Sequence, residues 1–168
     1  MRYAGTISIP EPAFETMLEG AAHSFCQHGF RDVIFLSDHG GYRQSVARVV
    51  ARLERSLRHH AQCRAHALYA YYDAAQMPFT NALVSTGVPP ADVGLHAGLA
   101  DTALTLALDP SLVRSSFLSP HGPKLSPADG VTGDPRRASP ELGQLGVQLI
   151  VDASVAAIRS ALKRPAAP

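Results

Sequence analysis

Two stretches of this chain set a histidine among glycines where a strand end or a helix start would present it. The first is Ser37-Asp38-His39-Gly40-Gly41-Tyr42, directly after the apolar run Val33-Ile34-Phe35-Leu36. Glycines there permit a tight turn and a close backbone approach. They leave His39 at a strand terminus, where an imidazole can ligate Zn²⁺ or Mn²⁺ or move protons. The second is His96-Ala97-Gly98-Leu99-Ala100-Asp101, at the entrance to a helix. The five-position step from His96 to Asp101 lets a loop histidine and a carboxylate in the opening helical turns serve one site. Spacing alone also admits plainer roles. These are an ordinary β–α turn, a phosphate cradle made of backbone N–H groups, or a hydrogen-bonded structural histidine.

Other chemically able groups read as structural. Arg48, Arg52, Arg55 and Arg58 form a stripe expected to be a solvated face or a subunit contact, with nucleic acid a remoter use. His59-His60 ends the same helix and suits its negative pole. Tyr69, Tyr71 and Tyr72 read as strand packing, Tyr72 lying near the strand end. Cys26 and Cys63 are the two cysteines. Their spacing gives no disulfide framework or metal clip, so they are expected to be small, partly buried side chains in a reducing cytoplasm.

The elements that must position these groups follow from periodicity. Gly5–Ile9 is β-type and ends at Pro10. Phe14, Met17, Leu18, Ala21, Ala22 and Phe25 mark one helix face, and Gly29 stops that helix. Residues 33–36 are a strand covered on both faces. A second helix carries Val46, Val49, Val50, Leu53 and Leu57 on its buried stripe, and 65–72 is the next strand. Residues 74–94 are partly helical with a break at Pro89-Pro90. Residues 98–108 are a short apolar helix stopped by Asp109-Pro110. Residues 115–138 hold four prolines and three glycines without periodicity, a long loop of the kind that carries function. A last helix runs over about 139–162 with Leu142, Leu145, Leu149, Ala153 and Ala156 on one face. The β-α-β-α-β order predicts an α/β fold, a three-layer α/β/α sandwich with a mainly parallel sheet. It forms one domain over 1–164 with a frayed tail at 165–168.

Composition agrees with a globular chain. Of 168 residues, 46% are hydrophobic and 17% charged, too apolar for disorder. A net charge of +1 advertises neither nucleic acid nor an acidic membrane as a partner. No apolar run approaches the length that spans a bilayer, and the N-terminus has no apolar signal segment.

Taken in order, five stretches resemble the creatininase family of amidohydrolases. They are Gly5-Thr6-Ile7-Ser8-Ile9, then Cys26 to Arg31, then Val33 to Tyr42 against a family pattern NGHGGN. Asp92 to Leu104 follows against a pattern containing HAG and a glutamate, and last come Gly130-Val131-Thr132-Gly133-Asp134-Pro135 with Ala138 to Gly143. The resemblance implies a metal-dependent hydrolase of non-peptide C–N bonds, with a small cyclic or linear amide as substrate. It also implies one or two divalent ions (Zn²⁺ or Mn²⁺) and a homo-oligomer; the charge balance and run lengths above predict no nucleic-acid or membrane partner. Carried over by motif, His39 is a metal ligand, His96 handles the proton, and Asp101 stands as a metal ligand where the family has glutamate. The family's E-x-H-G segment, which supplies further ligands, does not occur in this sequence. The expectation is therefore a truncated or degenerate member, lacking the family's first strand or strands, with an incomplete metal site and weak or no activity alone. The alternative is a non-catalytic oligomerisation or regulatory subunit.

Overall fold

The computed structural model describes residues 6–57 and 63–163. The predictions for His59-His60 and for the tail at 165–168 lie outside the described residues. Helix α1 (Glu11–Gln27) leads to β1 (Asp32–Leu36), α2 (Arg43–Ser56) and β2 (Arg64–Leu68). Five more helices follow: α3 (Ala70–Ala75), α4 (Met77–Ser85), α5 (Pro90–Val93), α6 (Leu99–Leu108) and α7 (Pro140–Lys163). The chain divides into two compact units, one holding residues 6–72 and 153–163, the other 73–152.

In the first unit β1 and β2 pair in parallel, with Asp32 opposite Arg64 and Leu36 opposite Leu68. The parallel pairing matches the sequence reading. Among the described residues the sheet, however, has two strands, so the fold is mostly helical with a small parallel sheet. Residues 6–9 form no strand, and Ile7 is 90% exposed. The second strand ends at Leu68, because residues 70–75 coil into α3 and take Tyr71 and Tyr72 with them.

Ala22, Val33, Val49, Leu53 and Leu57 form the core of this unit. The stripe expected on α2 is the buried one, with Val50 packed at its edge. The face expected on α1 holds only in part: Ala22 is buried and Leu18 packs against the core, but Met17 and Phe25 are exposed and Glu15, off that face, is buried. The reason is charge. Glu11, Glu15 and Glu19 recur every four residues along α1 and meet Arg48 and Arg52 of α2. Glu15 receives Arg48 at 2.6 Å and Arg52 at 2.6 Å, Glu11 receives Arg48 at 2.5 Å, and Glu19 pairs with Arg52. Two arginines expected to be solvated thus lie in a helix–helix seam.

Cys26 and Cys63 are disulfide-bonded, with Cα atoms 5.6 Å apart. That corrects the reading of two independent cysteines. Their separation of 37 residues carries no pairing signal, and the crossing of α1 with the start of β2 brings them together.

In the second unit Phe79, Leu83, Val88, Val93, Leu99 and Ala103 make a separate core. Burial of each of the larger side chains is worth about 1.5–3 kcal/mol. The residues of α7 within this unit approach α6 closely at glycine. A Cβ on Gly143 would stand 1.9 Å from the Ala103 carbonyl oxygen, and one on Gly146 would stand 2.8 Å from Leu104 and Phe79 atoms. Those glycines turn the buried face of α7 away from the expected one, leaving Leu145 exposed and Gly143 and Gly146 buried. Among the described helices, α7 is long and apolar enough to cross a membrane by length and composition, a test that core helices of soluble proteins also pass. Residues 110–137 lack long helices but contain several single 3₁₀ turns, as expected for a loop with many prolines.

Candidate functional site

His39 ends the extended segment after β1 and caps a 3₁₀ turn, Gly40–Tyr42, that leads into α2. The buried Ser37 hydroxyl donates to the His39 carbonyl at 3.1 Å, which fixes the backbone beneath the exposed ring. The Gly41 N–H donates to His39 Nδ1 at 3.0 Å. A Cβ on Gly41 would meet that nitrogen at 3.0 Å, so glycine lets the ring fold over its own turn. Gly40 is closed over in the same way, since a Cβ there would lie 3.0 Å from the Tyr72 hydroxyl. Tyr42 packs against His39 with ring centroids 5.1 Å apart. The Arg43 guanidinium sits 4.6 Å from the Tyr69 ring and 5.7 Å from the Tyr72 ring. Tyr72 therefore reaches the turn as anticipated, although from a helix. Arg43 and Tyr42 were missed, because stacking across a turn has no sequence period.

The hydrogen bond to Gly41 decides what His39 can do. A neutral imidazole has one lone-pair nitrogen and one N–H. With Nδ1 accepting, the proton resides on Nε2, which is then a donor.

His96 and Asp101 lie in the other unit and belong to one turn. His96 pairs with Thr132 in an isolated antiparallel bridge. The Thr132 N–H donates to the His96 carbonyl at 2.8 Å, the Leu95 N–H donates to Thr132 O at 2.9 Å, and the Asp134 N–H donates to Asp92 O at 3.0 Å. This brings together two stretches far apart in sequence, Asp92–Asp101 and Gly130–Pro135. Glycines make the approach feasible. A Cβ on Gly94 would be 1.9 Å from Thr132 O, and one on Gly133 would be 2.6 Å from Gly94 Cα. Gly94 and Gly133 also have φ of +76° and +119°, a region open to glycine without steric cost. Asp101 stands in the first turn of α6, and its Oδ2 accepts the Ala97 N–H at 2.8 Å. Asp134 caps the next 3₁₀ turn and bonds to Arg136, which holds its carboxyl below the usual aspartate range.

Ala97 and Asp101 line an open cleft of about 530 Å³ together with Arg114, Phe117, Lys124 and Val131. The long loop thus borders a space beside the His96 turn, as its length and composition suggested. Arg114 stacks on Phe117 at 4.6 Å from the ring centroid.

These residues were tested as metal ligands on their own geometry. His39 has its lone-pair nitrogen on an N–H, and Asp101 has one oxygen on another. Among the described residues no three His, Cys, Asp or Glu side chains gather as ligands, where a zinc centre takes three or four. As arranged here, the described residues do not form a metal centre by themselves.

The chain belongs to the creatininase family, whose description is creatinine amidohydrolase and whose match runs over residues 1–158. No curated protein matches it. Among solved structures it is similar to creatinine amidohydrolase (creatininase), with 22% identity and a TM-score of 0.76 over 97% of this chain and 68% of that one. It is also similar to a manganese creatininase, with 20% identity and a TM-score of 0.73 over 96% and 68%. A creatininase mutant complexed with creatine gives 20% identity and a TM-score of 0.70 over 96% and 69%. At such identities the likeness speaks for the fold.

Proposed function

We propose that this chain acts as a creatininase-type amidohydrolase, cleaving a non-peptide C–N bond in a small cyclic or linear amide. His96 handles the proton. Of the two metal ligands carried over by motif, Asp101 keeps one oxygen for a divalent ion, Mn²⁺ or Zn²⁺, whereas His39 would have to give up its bond from Gly41 to ligate one. What carries the reading is family membership over 158 residues combined with a His96 turn built by backbone pairing to Thr132. An exposed imidazole on a fixed turn can accept a proton from water and donate one to a leaving nitrogen. The His39 Nε2–H is placed to donate. A complete metal centre needs ligands beyond His39 and Asp101, and a complete three-layer sandwich needs strands beyond β1 and β2. A manganese creatininase and a creatine complex among the structural relatives suggest the metal and the substrate class to try.

The proposal includes a homo-oligomer, while the sequence-based expectation is a cytoplasmic location. The Cys26–Cys63 bond argues against the latter, because glutathione keeps cytosolic thiols reduced. A second reading, a family member that serves as a non-catalytic oligomerisation or regulatory subunit, is favoured by the lack of three gathered ligands among the described residues.

The test is turnover of creatinine and related lactams by the purified chain with added Mn²⁺ or Zn²⁺, alongside His96→Ala. Hydrolysis that the substitution abolishes supports the enzyme. Equal rates for both proteins, or none with either metal while light scattering shows a defined oligomer, would replace it with the second reading.

A further inference from the structure

We propose that Asp101 is a positioning residue for His96, its carboxylate holding Ala97 in a left-handed backbone conformation and so fixing the turn on which the imidazole sits. The role goes beyond facing a metal. It rests on the reading above only in taking His96 as the functional histidine.

Among the described residues, Ala97 is the one non-glycine residue with positive φ, at 46°. An L-residue with a Cβ resists that region, so something must compensate. The residues on either side are constrained by backbone. His96 is pinned to Thr132. Gly98 is so enclosed that a Cβ there would lie 2.6 Å from the Val93 carbonyl oxygen and 2.9 Å from that of Thr132. The chain must therefore reverse within Ala97. In that conformation the Ala97 N–H points along the start of α6, and Asp101 Oδ2 takes it at 2.8 Å. A negative oxygen near a helix N-terminus is also favoured by the helix dipole. An aspartate reaches back four residues with a short side chain and few rotamers. The glutamate of the family pattern has one more methylene and more freedom. The Ala97 carbonyl is bonded as well, accepting the Thr102 hydroxyl at 3.5 Å, so α6 grips both polar groups of this residue.

Four full-length variants separate positioning from other roles. Each is read by amide hydrogen exchange at residue 97 and by the NMR resonance of the His96 ring. Asp101→Ala should speed exchange at residue 97 by about tenfold or more, the size expected for losing a charge-assisted hydrogen bond, and should move the His96 resonance. Asp101→Asn keeps an acceptor oxygen and loses only the charge assistance, so its exchange should rise clearly less than in Asp101→Ala, by less than about fivefold, with the His96 resonance near its original position. Adding Ala97→Gly to Asp101→Ala should return the His96 resonance toward its original position, because glycine takes positive φ without steric cost. Ala97→Gly alone should leave the resonance in place.

If Asp101→Ala does not fold, folding of the double variant is the predicted rescue, and its failure counts against the proposal. Unchanged exchange in Asp101→Ala would overturn it. So would Asp101→Asn behaving like Asp101→Ala, or a double variant as perturbed as the single one. None of these readouts needs turnover, so a chain with no hydrolase activity would sink the proposed function and leave this result standing.

Discussion

The seam between α1 and α2 and the turn around His96 are held by opposite means. Long side chains close the seam: three glutamates four residues apart facing two arginines, with a disulfide near one end. Backbone against backbone closes the turn, where Gly94, Gly98 and Gly133 let Thr132 and its neighbours approach to hydrogen-bonding distance. A side-chain seam can lose one partner and re-form with others, since each long side chain has several rotamers. A backbone lock has no second conformation available, and an added methyl group meets a carbonyl that cannot rotate away. Geometry that a catalytic proton transfer needs is better kept by the second kind of closure.

The largest effect expected is for Gly94→Ala. The new Cβ would stand 1.9 Å from Thr132 O on a residue with φ +76°. Overpacking and left-handed strain together should cost about 4 kcal/mol or more, read by urea unfolding. A loss below about 1 kcal/mol would mean that the turn yields, and the contrast with the seam would fail.

Next is the double replacement Cys26→Ser with Cys63→Ser. Closing a loop of 37 residues is worth about 3–4 kcal/mol in the chain-entropy account, so the first unit should lose about that much. Thiol counting on the denatured, unreduced protein should find neither cysteine free. Two free thiols would remove the disulfide from the seam and favour a reducing compartment.

Glu15→Gln should weaken the seam in a pH-dependent way. Bonds from Arg52 first, then Arg48, hold the Glu15 carboxyl below its ordinary 4.5, and bonds from Ser45 and Arg48 do the same for Glu11. A carboxyl with a depressed folded value stabilises above its unfolded value and ceases to as pH falls through the folded one. The deficit of Glu15→Gln should therefore be full at neutral pH, shrink below about 4.5, and disappear in stronger acid. A deficit that does not change with pH would show that packing, and not charge, closes the seam.

The smallest effect has the opposite sign. Gly20 lies within α1 with nothing within 4 Å of where its Cβ would be. Gly20→Ala should therefore stabilise by up to about 1 kcal/mol. Destabilisation would mean that α1 is not the free-faced helix described.

Element types near the site were legible because local chemistry dictates them. His39 followed by two glycines gave a turn after β1, Asp109-Pro110 ended α6, and Gly29 with φ +88° stopped α1. The candidate site was legible only in part. That His96 and Asp101 share a turn followed from their spacing, but the roles of Thr132, Asp92 and Arg43 did not, since each depends on segments distant in sequence. The buried faces of α1 and α7 were legible only in part, through Leu18 and Ala22 and through Leu142 and Leu149, and for one reason. Periodicity arguments count apolar residues, and these helices bury Glu15 and two glycines, residues whose burial depends on a partner.

From sequence alone came α1, α2, α6 and α7 in order and the parallel pairing of β1 with β2, though not α3. It also carried the membership in the creatininase family and the placing of both histidines on glycine turns. All of these follow from dihedral preferences, hydrophobic period and motif order, which are local properties. Only the tertiary structure decided that Cys26 meets Cys63, that arginines line a seam, that the His39 lone pair is already taken by Gly41, and that Asp101 grips Ala97. Each of those is set by a distance of a few ångströms between groups whose approach depends on how distant segments cross, or on the φ and rotamer chosen within a turn.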